Sequence, residues 1–157
     1  MSIVTLAQAK AHLRVVSTDE DADIQSKLSA AEASAISFLN RNLYADEPAL
    51  SAAKASVDLG PATAAYETAL DTAAGYQTTT EREFWTSMAQ QDFDAVQRDA
   101  IRTYRGVAIN EAITAAILLT LGHLCENREN EAATTTFGKL TEGSAAMLMP
   151  YRIEMGV

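Results

Sequence analysis

Between Asn110 and Glu129 the chain reads "NEAITAAILLTLGHLCENRE", a helical run so apolar that no single neighbour can cover it. Ile113, Ile117, Leu118, Leu121 and Leu124 can face more than one neighbour at once, which makes this the central helix of the fold. Asn110 is placed to cap its start. Gly122 in its interior costs about 1 kcal/mol relative to Ala, which is tolerable if a neighbouring backbone comes close there. The run closes on Glu126, Asn127, Arg128 and Glu129. An Arg offers a planar fork matched to carboxylates and can satisfy the last carbonyls of a helix, so such a group fixes structure within a chain or across a subunit boundary.

The covering elements are also helical. Thr5 and Gln8 make a capping box that opens "LAQAKAHLRV", with Leu6, Ala9 and Leu13 on one side and a stop near Val15 and Val16. In "STDEDADIQSKL", Ser17 or Thr18 supplies a cap, and Asp19, Glu20, Asp21 and Asp23 lie where exposed helix N–H groups favour carboxylates. Ile24, Leu28, Ala31, Ala35, Phe38 and Leu39 then recur as one buried stripe, ending around Asn40 to Asn42. From Ala45 to Arg105 the chain becomes Ala-rich and is broken by Pro48, Gly60-Pro61 and Gly75. One or two helices anchored by Leu50, Val57, Tyr66 and Leu70 are expected there. A firmer helix follows, opened by a capping box of Thr80 with Glu83 and ended by Gly106. After the central helix, "NEAATTTFGKLTEG" reads as a polar loop, and "SAAMLMPYR" as a short apolar turn or two closed by Pro150. Apolar residues make up 48% of the chain and aromatics only 6%, so the core must use small side chains on closely packed helices. The expected fold is an all-α small helical bundle, a single domain over 1–157, with a helical insertion at 45–105 between the second helix and the central apolar one.

Several kinds of chemistry fit poorly. A net charge of −9 and a pI near 4.6 argue against tight DNA or RNA binding, which relies on Lys and Arg displacing counterions. No apolar run is long enough to span a bilayer, and "MSIVTLAQAK" lacks a signal-peptide layout, so a cytoplasm-like compartment is expected. Cys125 has no partner for a disulfide or a zinc site and reads as a small buried hydrophobe. His123 lies three residues before Glu126, but no nucleophile and no orienting third residue accompany the pair. His12 stands alone among alanines, without a second ligand helix. The acids at 19–23 lack the Gly and distal Glu of a calcium loop. No catalytic, cofactor-binding or metal residue is therefore assigned. Phe84 and Trp85 are adjacent on one helix and cannot both face one core, which leaves one of them available to a partner.

Four stretches, "VTLAQAKAHLRV", "DEDADIQSKLSAAEASAISFLNR", "AITAAILLTLGHLCENRE" and "LMPYR", together and in this order resemble the head-tail connector proteins of tailed bacteriophages. That is the Gp6-like or phage connector family, also described as head completion or adaptor proteins. The resemblance runs over Ile3 to about Leu43 and Ile109 to Arg152, and its most specific parts are His123 to Glu129 and Pro150 to Arg152. The chain departs from the pattern where relatives carry an aromatic near Leu124 and Cys125, and in the length of the 45–105 segment.

The resemblance implies a non-enzymatic virion protein of the head-tail neck, assembled in the host cytoplasm. Its subunits would form a ring, a dodecamer in relatives, beneath the portal protein, receive a stopper or tail-completion protein on the other side, and let DNA pass without tight binding or membrane contact. Carried over by residue, Glu126, Asn127, Arg128 and Glu129 would lie at the end of the core helix. Pro150, Tyr151 and Arg152 would belong to a portal-facing tail within a loop-plus-tail segment, 130–157. The competing expectation is a soluble helical regulatory or ligand-binding domain whose apolar helix lines a pocket.

Overall fold

The structure, a computed structural model, describes residues 3–126 and 140–153. The described residues are almost wholly α-helical, as the apolar spacing requires. They divide into two compact units, one built from residues 1–50 and 106–157, the other from 51–105.

In the first unit, α1 (Leu6–Leu13) starts at the expected capping box. Gln8 N–H donates to Thr5 Oγ1 at 3.2 Å, and Thr5 N–H donates to Gln8 Oε1 at 2.9 Å. It ends one residue before the valines because Arg14 turns into the left-handed region at φ 57°. Helix α2 (Asp21–Leu39) begins later than the sequence suggested: neither Ser17 nor Thr18 caps it, and the residue before its first turn, Glu20, makes no side-chain cap. Ser17 instead holds Asp19, whose N–H and carboxylate both meet its Oγ. Asn40, left-handed at φ 54°, terminates α2, a conformation that Asn tolerates better than most residues.

The central helix α6 (Glu111–Glu126) has the expected cap, with Ile113 N–H donating to Asn110 Oδ1 at 2.9 Å. It packs on α1, α2 and α7 (Glu142–Leu148), and Ile113, Ala116, Ile117 and Leu121 are fully buried. Facing them are Leu28, Ala31, Ala35 and Leu39 of α2, Ala9 of α1 and Leu148 of α7, also without exposed surface. Alanines at these contacts let the helix backbones approach, so a core poor in aromatics still reaches close packing. Two buried hydroxyls join α6 to α7: Thr120 Oγ1 lies 3.1 Å from Ser144 Oγ, which in turn is 2.7 Å from Thr141 Oγ1 at the start of α7. A two-residue parallel ladder, β1 (Leu43–Tyr44) against β2 (Val107–Ala108), was not expected from the sequence. It binds the two points where the chain leaves and re-enters this unit.

Glu32 is the one buried carboxylate among the described residues. It sits on the buried stripe one turn after Leu28, and its Oε1 accepts from Ile3 N–H and Val4 N–H, both at 2.8 Å. The N-terminal segment is thereby fastened along α2, and Val4 becomes fully buried.

In the second unit, α4 (Gly60–Ala74) and α5 (Thr79–Tyr104) form a helical hairpin. α3 (Glu47–Ala55) precedes them. Pro48 and Pro61 each stand in a first turn, as expected from proline's preset φ and missing N–H. The capping box of α5 lies two residues earlier than the sequence suggested: Thr78 and Glu81 form it, not Thr80 and Glu83. Tyr66 stacks on Phe93 and Tyr76 on Trp85 across the hairpin, yet within α4 and α5 only Ala73 and Ala89 are buried. Both Phe84 and Trp85 are exposed, at 56% and 45%, and not just one of them, because a two-helix layer has only one inner face.

Two substitutions test this packing. A Cβ at Gly122 would meet His12 Nε2 at 3.7 Å, an ordinary contact, so no close backbone approach requires the glycine. Gly122→Ala should stabilise the protein by about 0.5–1 kcal/mol in urea denaturation. Glu32→Ala should destabilise it by about 1–3 kcal/mol by leaving two N–H groups unpaired, with Glu32→Gln losing less.

Candidate functional site

The residues singled out by the sequence lie at two places in the first unit. Pro150, Tyr151 and Arg152 follow α7 through a 3₁₀ turn, Met149–Tyr151, and run back along the end of α2. Glu126 is exposed at the last turn of α6. Asn127, Arg128 and Glu129 lie outside the described residues, as does most of the polar loop.

The geometry at the C-terminal stretch is set by Arg41. Just past the left-handed Asn40, its guanidinium reaches two carbonyls from distant parts of the chain: Nη2 donates to Gly106 O at 3.0 Å and Nη1 to Tyr151 O at 3.3 Å. One side chain thus ties together the end of α2, the point where the chain returns from the second unit, and the terminal stretch. Ile153 N–H donates to Leu39 O at 3.2 Å, capping an α2 carbonyl that the helix itself leaves unpaired. Arg152 lays its guanidinium over the Phe38 ring, 4.8 Å from the centroid. Burial pulls the Arg41 pKa below its ordinary value, and a guanidinium remains charged nonetheless. The Nε atoms of Arg41 and Arg152 are buried and have no hydrogen-bond partner among the described residues.

This arrangement changes how the terminal "PYR" is read. Tyr151 and Arg152 are half-buried against their own chain, while Met149 and Pro150 stand exposed beside them. Arg41, Phe38 and Leu39 were missed by sequence reasoning as partners of this stretch. The available signal was an Arg directly after a helix end, where orphan carbonyls and chain returns gather.

Near Glu126 there is a shallow groove of about 330 Å³, whose lining includes His12, Arg14, Glu20, Asp23, Cys125 and Glu126. Acids and bases of both signs face it, and the buried apolar side chains of α6 do not line it. His12, His123 and Glu126 are all exposed, and among the described residues no three His, Cys, Asp or Glu groups are placed to hold a metal ion. Lys10 and Asp21 close one side of α1 with a 2.6 Å ion pair that joins it to α2.

The architecture so far is a helical body with a pinned terminal stretch and a helical hairpin, and residues 3–105 match the family described as Phage gp6-like head-tail connector protein. The chain belongs to that family. Comparison with curated proteins and with solved structures gave no match. The matched residues run from α1 through α5, so they take in the segment that the sequence sets apart as an insertion. They end before α6 and the "PYR" stretch. Membership makes this connector a structural component of the bacteriophage virion that assembles with head and tail parts. No helix among the described residues is long and apolar enough to cross a membrane.

Arg41→Ala should cost about 1–3 kcal/mol, since two carbonyls lose a charged donor. Hydrogen exchange should then quicken at Ile153 while amides in the middle of α2 stay protected. Equal quickening at both places would mean that Arg41 does not act as a local clasp.

Proposed function

We propose that this connector subunit forms a ring beneath the portal of the filled capsid, extends the DNA channel, and offers its other side to a stopper or tail-completion protein. The observation that carries this reading is the pair of exposed methionines at the pinned terminal stretch. Met147 near the end of α7 and Met149 in the 3₁₀ turn are exposed at 40% and 50%, although α7 also supplies the fully buried Ser144 and Leu148. Exposed apolar groups of this size next to a pinned stretch of chain favour a protein partner. In this reading, Met149 and Pro150 make the portal contact, with Tyr151 and Arg152 holding the contact in shape through Phe38 and Arg41. Glu126 and the three residues after it border the neighbouring subunit at the end of α6.

The net charge of −9 supports the channel role, because an acidic wall repels phosphates and lets DNA slide. The hairpin of α4 and α5 is then a helical arm, inserted in the connector body at 45–105, on the outer or tail-facing side of the ring. Its thin core is supplemented by packing in the assembled particle.

Removing the chain from Met149 onward would also remove the partners of Arg41 and Leu39, so a point change is the cleaner test. Met149→Asp should leave thermal stability nearly unchanged, since the side chain is half exposed, yet DNA-filled heads should fail to join tails. Infectious particles formed at the normal yield by this variant would remove the portal role from this surface. Imaging of the virion neck with the chain labelled should find a ring at the portal.

A further inference from the structure

The chain returns from the second unit at Gly106, and the carbonyl of that residue is one of the two that Arg41 binds. The other belongs to Tyr151 in the terminal stretch. The return has ties of its own: Val107 N–H donates to Asn42 O at 3.0 Å, and Ile109 N–H donates to Tyr44 O at 2.8 Å. This ladder starts one residue after Arg41 on one strand and one residue after Gly106 on the other. The terminal stretch is tied separately to the end of α2, from Ile153 N–H to Leu39 O and from the Arg152 guanidinium to the Phe38 ring. Arg41 is a side chain that both sets of contacts share.

A half-buried guanidinium keeps its place only while hydrogen bonds replace the water it has given up. For Arg41 those bonds go to Gly106 O at 3.0 Å and Tyr151 O at 3.3 Å, and its Nε is buried without a partner among the described residues. With one carbonyl withdrawn, less remains to offset burial, and turning out to water becomes the better arrangement. The second bond then goes with the first. The clasp has two states, closed on both carbonyls or open on neither.

We infer that the terminal stretch and the return of the second unit are coupled through Arg41. Seating Met149 to Arg152 on α2 closes the clasp and holds Gly106, whereas lifting them off releases both. The coupling lies within the first unit, to which Arg41, Gly106 and Tyr151 all belong. Its use in the particle rests on the proposed portal contact: a partner on Met149 and Pro150 favours the seated state and so firms the strand ladder at which the hairpin is attached. By reciprocity, a partner that fixes the ladder strengthens the seat.

Amide hydrogen exchange on the free, full-length chain tests the coupling, with Arg152→Ala loosening the seat and leaving Arg41 in place. Exchange at Ile153, Val107 and Ile109 should quicken at least about threefold, while Ile117 and Leu121 in α6 keep their protection. In an Arg41→Ala background the same change should still quicken Ile153 but leave Val107 and Ile109 within about 1.5-fold, because the shared side chain is gone. Any of the three amides unmoved by Arg152→Ala, or a ladder that responds as strongly in the Arg41→Ala background, would overturn the inference. If Arg152→Ala also exposes α6, Arg152→Gln, which keeps its stem over the ring, replaces it; α6 and ladder quickening alike in that variant would overturn the inference as well. The portal reading is decided separately, by Met149→Asp and the yield of particles.

Discussion

Everything in the first unit is arranged around the need to enclose α6. Its buried residues, Ile113, Ala116, Ile117 and Leu121, form a face too broad for one neighbour, and α1, α2 and α7 close over them. The closure relies on small side chains: Ala9, Ala31, Ala35 and Ala116 have no exposed surface. A larger residue at any of them would push two helices apart and strip dispersion contacts from the leucines and isoleucines on either side. Alanine richness is thus a packing requirement here as well as a helix preference. The same composition has the opposite result in the second unit, where α4 and α5 have only each other to pack on and most of their apolar side chains stay partly in water.

Period and capping carried most of the helical fold in the sequence. The stripe of α2, the Asn110 cap, the Thr5–Gln8 box and both proline starts are local features, and each depends on residues within a few positions of one another. Errors arose where two local solutions compete. Thr78, Thr79 and Thr80 are consecutive, and two of them have a Glu three residues on, so spacing could not choose between Thr78–Glu81 and Thr80–Glu83. Ser17 could cap α2 or bind Asp19, and it binds Asp19. The pairing of Phe84 and Trp85 was judged against a core on one side, which a hairpin without a third layer does not possess.

The contacts that determine the candidate site were of another kind. Glu32 to Ile3 and Val4 spans nearly thirty positions, and Arg41 to Tyr151 spans far more. Nothing local marks an acid on a buried stripe as satisfied, or an Arg after a helix as bound to a distant carbonyl. A buried charge is tolerated only when hydrogen bonds replace its water, so the acid at a stripe position is itself the signal that an unpaired chain segment must come to it. The "PYR" stretch was legible as important from its resemblance to the connector family. Its half-buried seat on Phe38, Leu39 and Arg41 was legible only in three dimensions.

This use of cations bears on the proposed DNA channel. Lys10 is paired with Asp21, Lys27 with Asp23, Arg41 with two carbonyls and Arg152 with an aromatic ring. Each is partly or largely turned inward to a structural partner, in a chain that has 12 Lys and Arg against 21 Asp and Glu. Phosphate affinity grows with the number of cations free to displace counterions, so charges committed to holding the fold contribute little to it. In the proposed ring the same side chains that fasten the N-terminal helix and the terminal stretch are withheld from the nucleic acid. Four cations of the first unit are thus engaged within the fold while the chain as a whole carries a net charge of −9, a balance that suits the proposed conduit if its cargo is to pass without being retained.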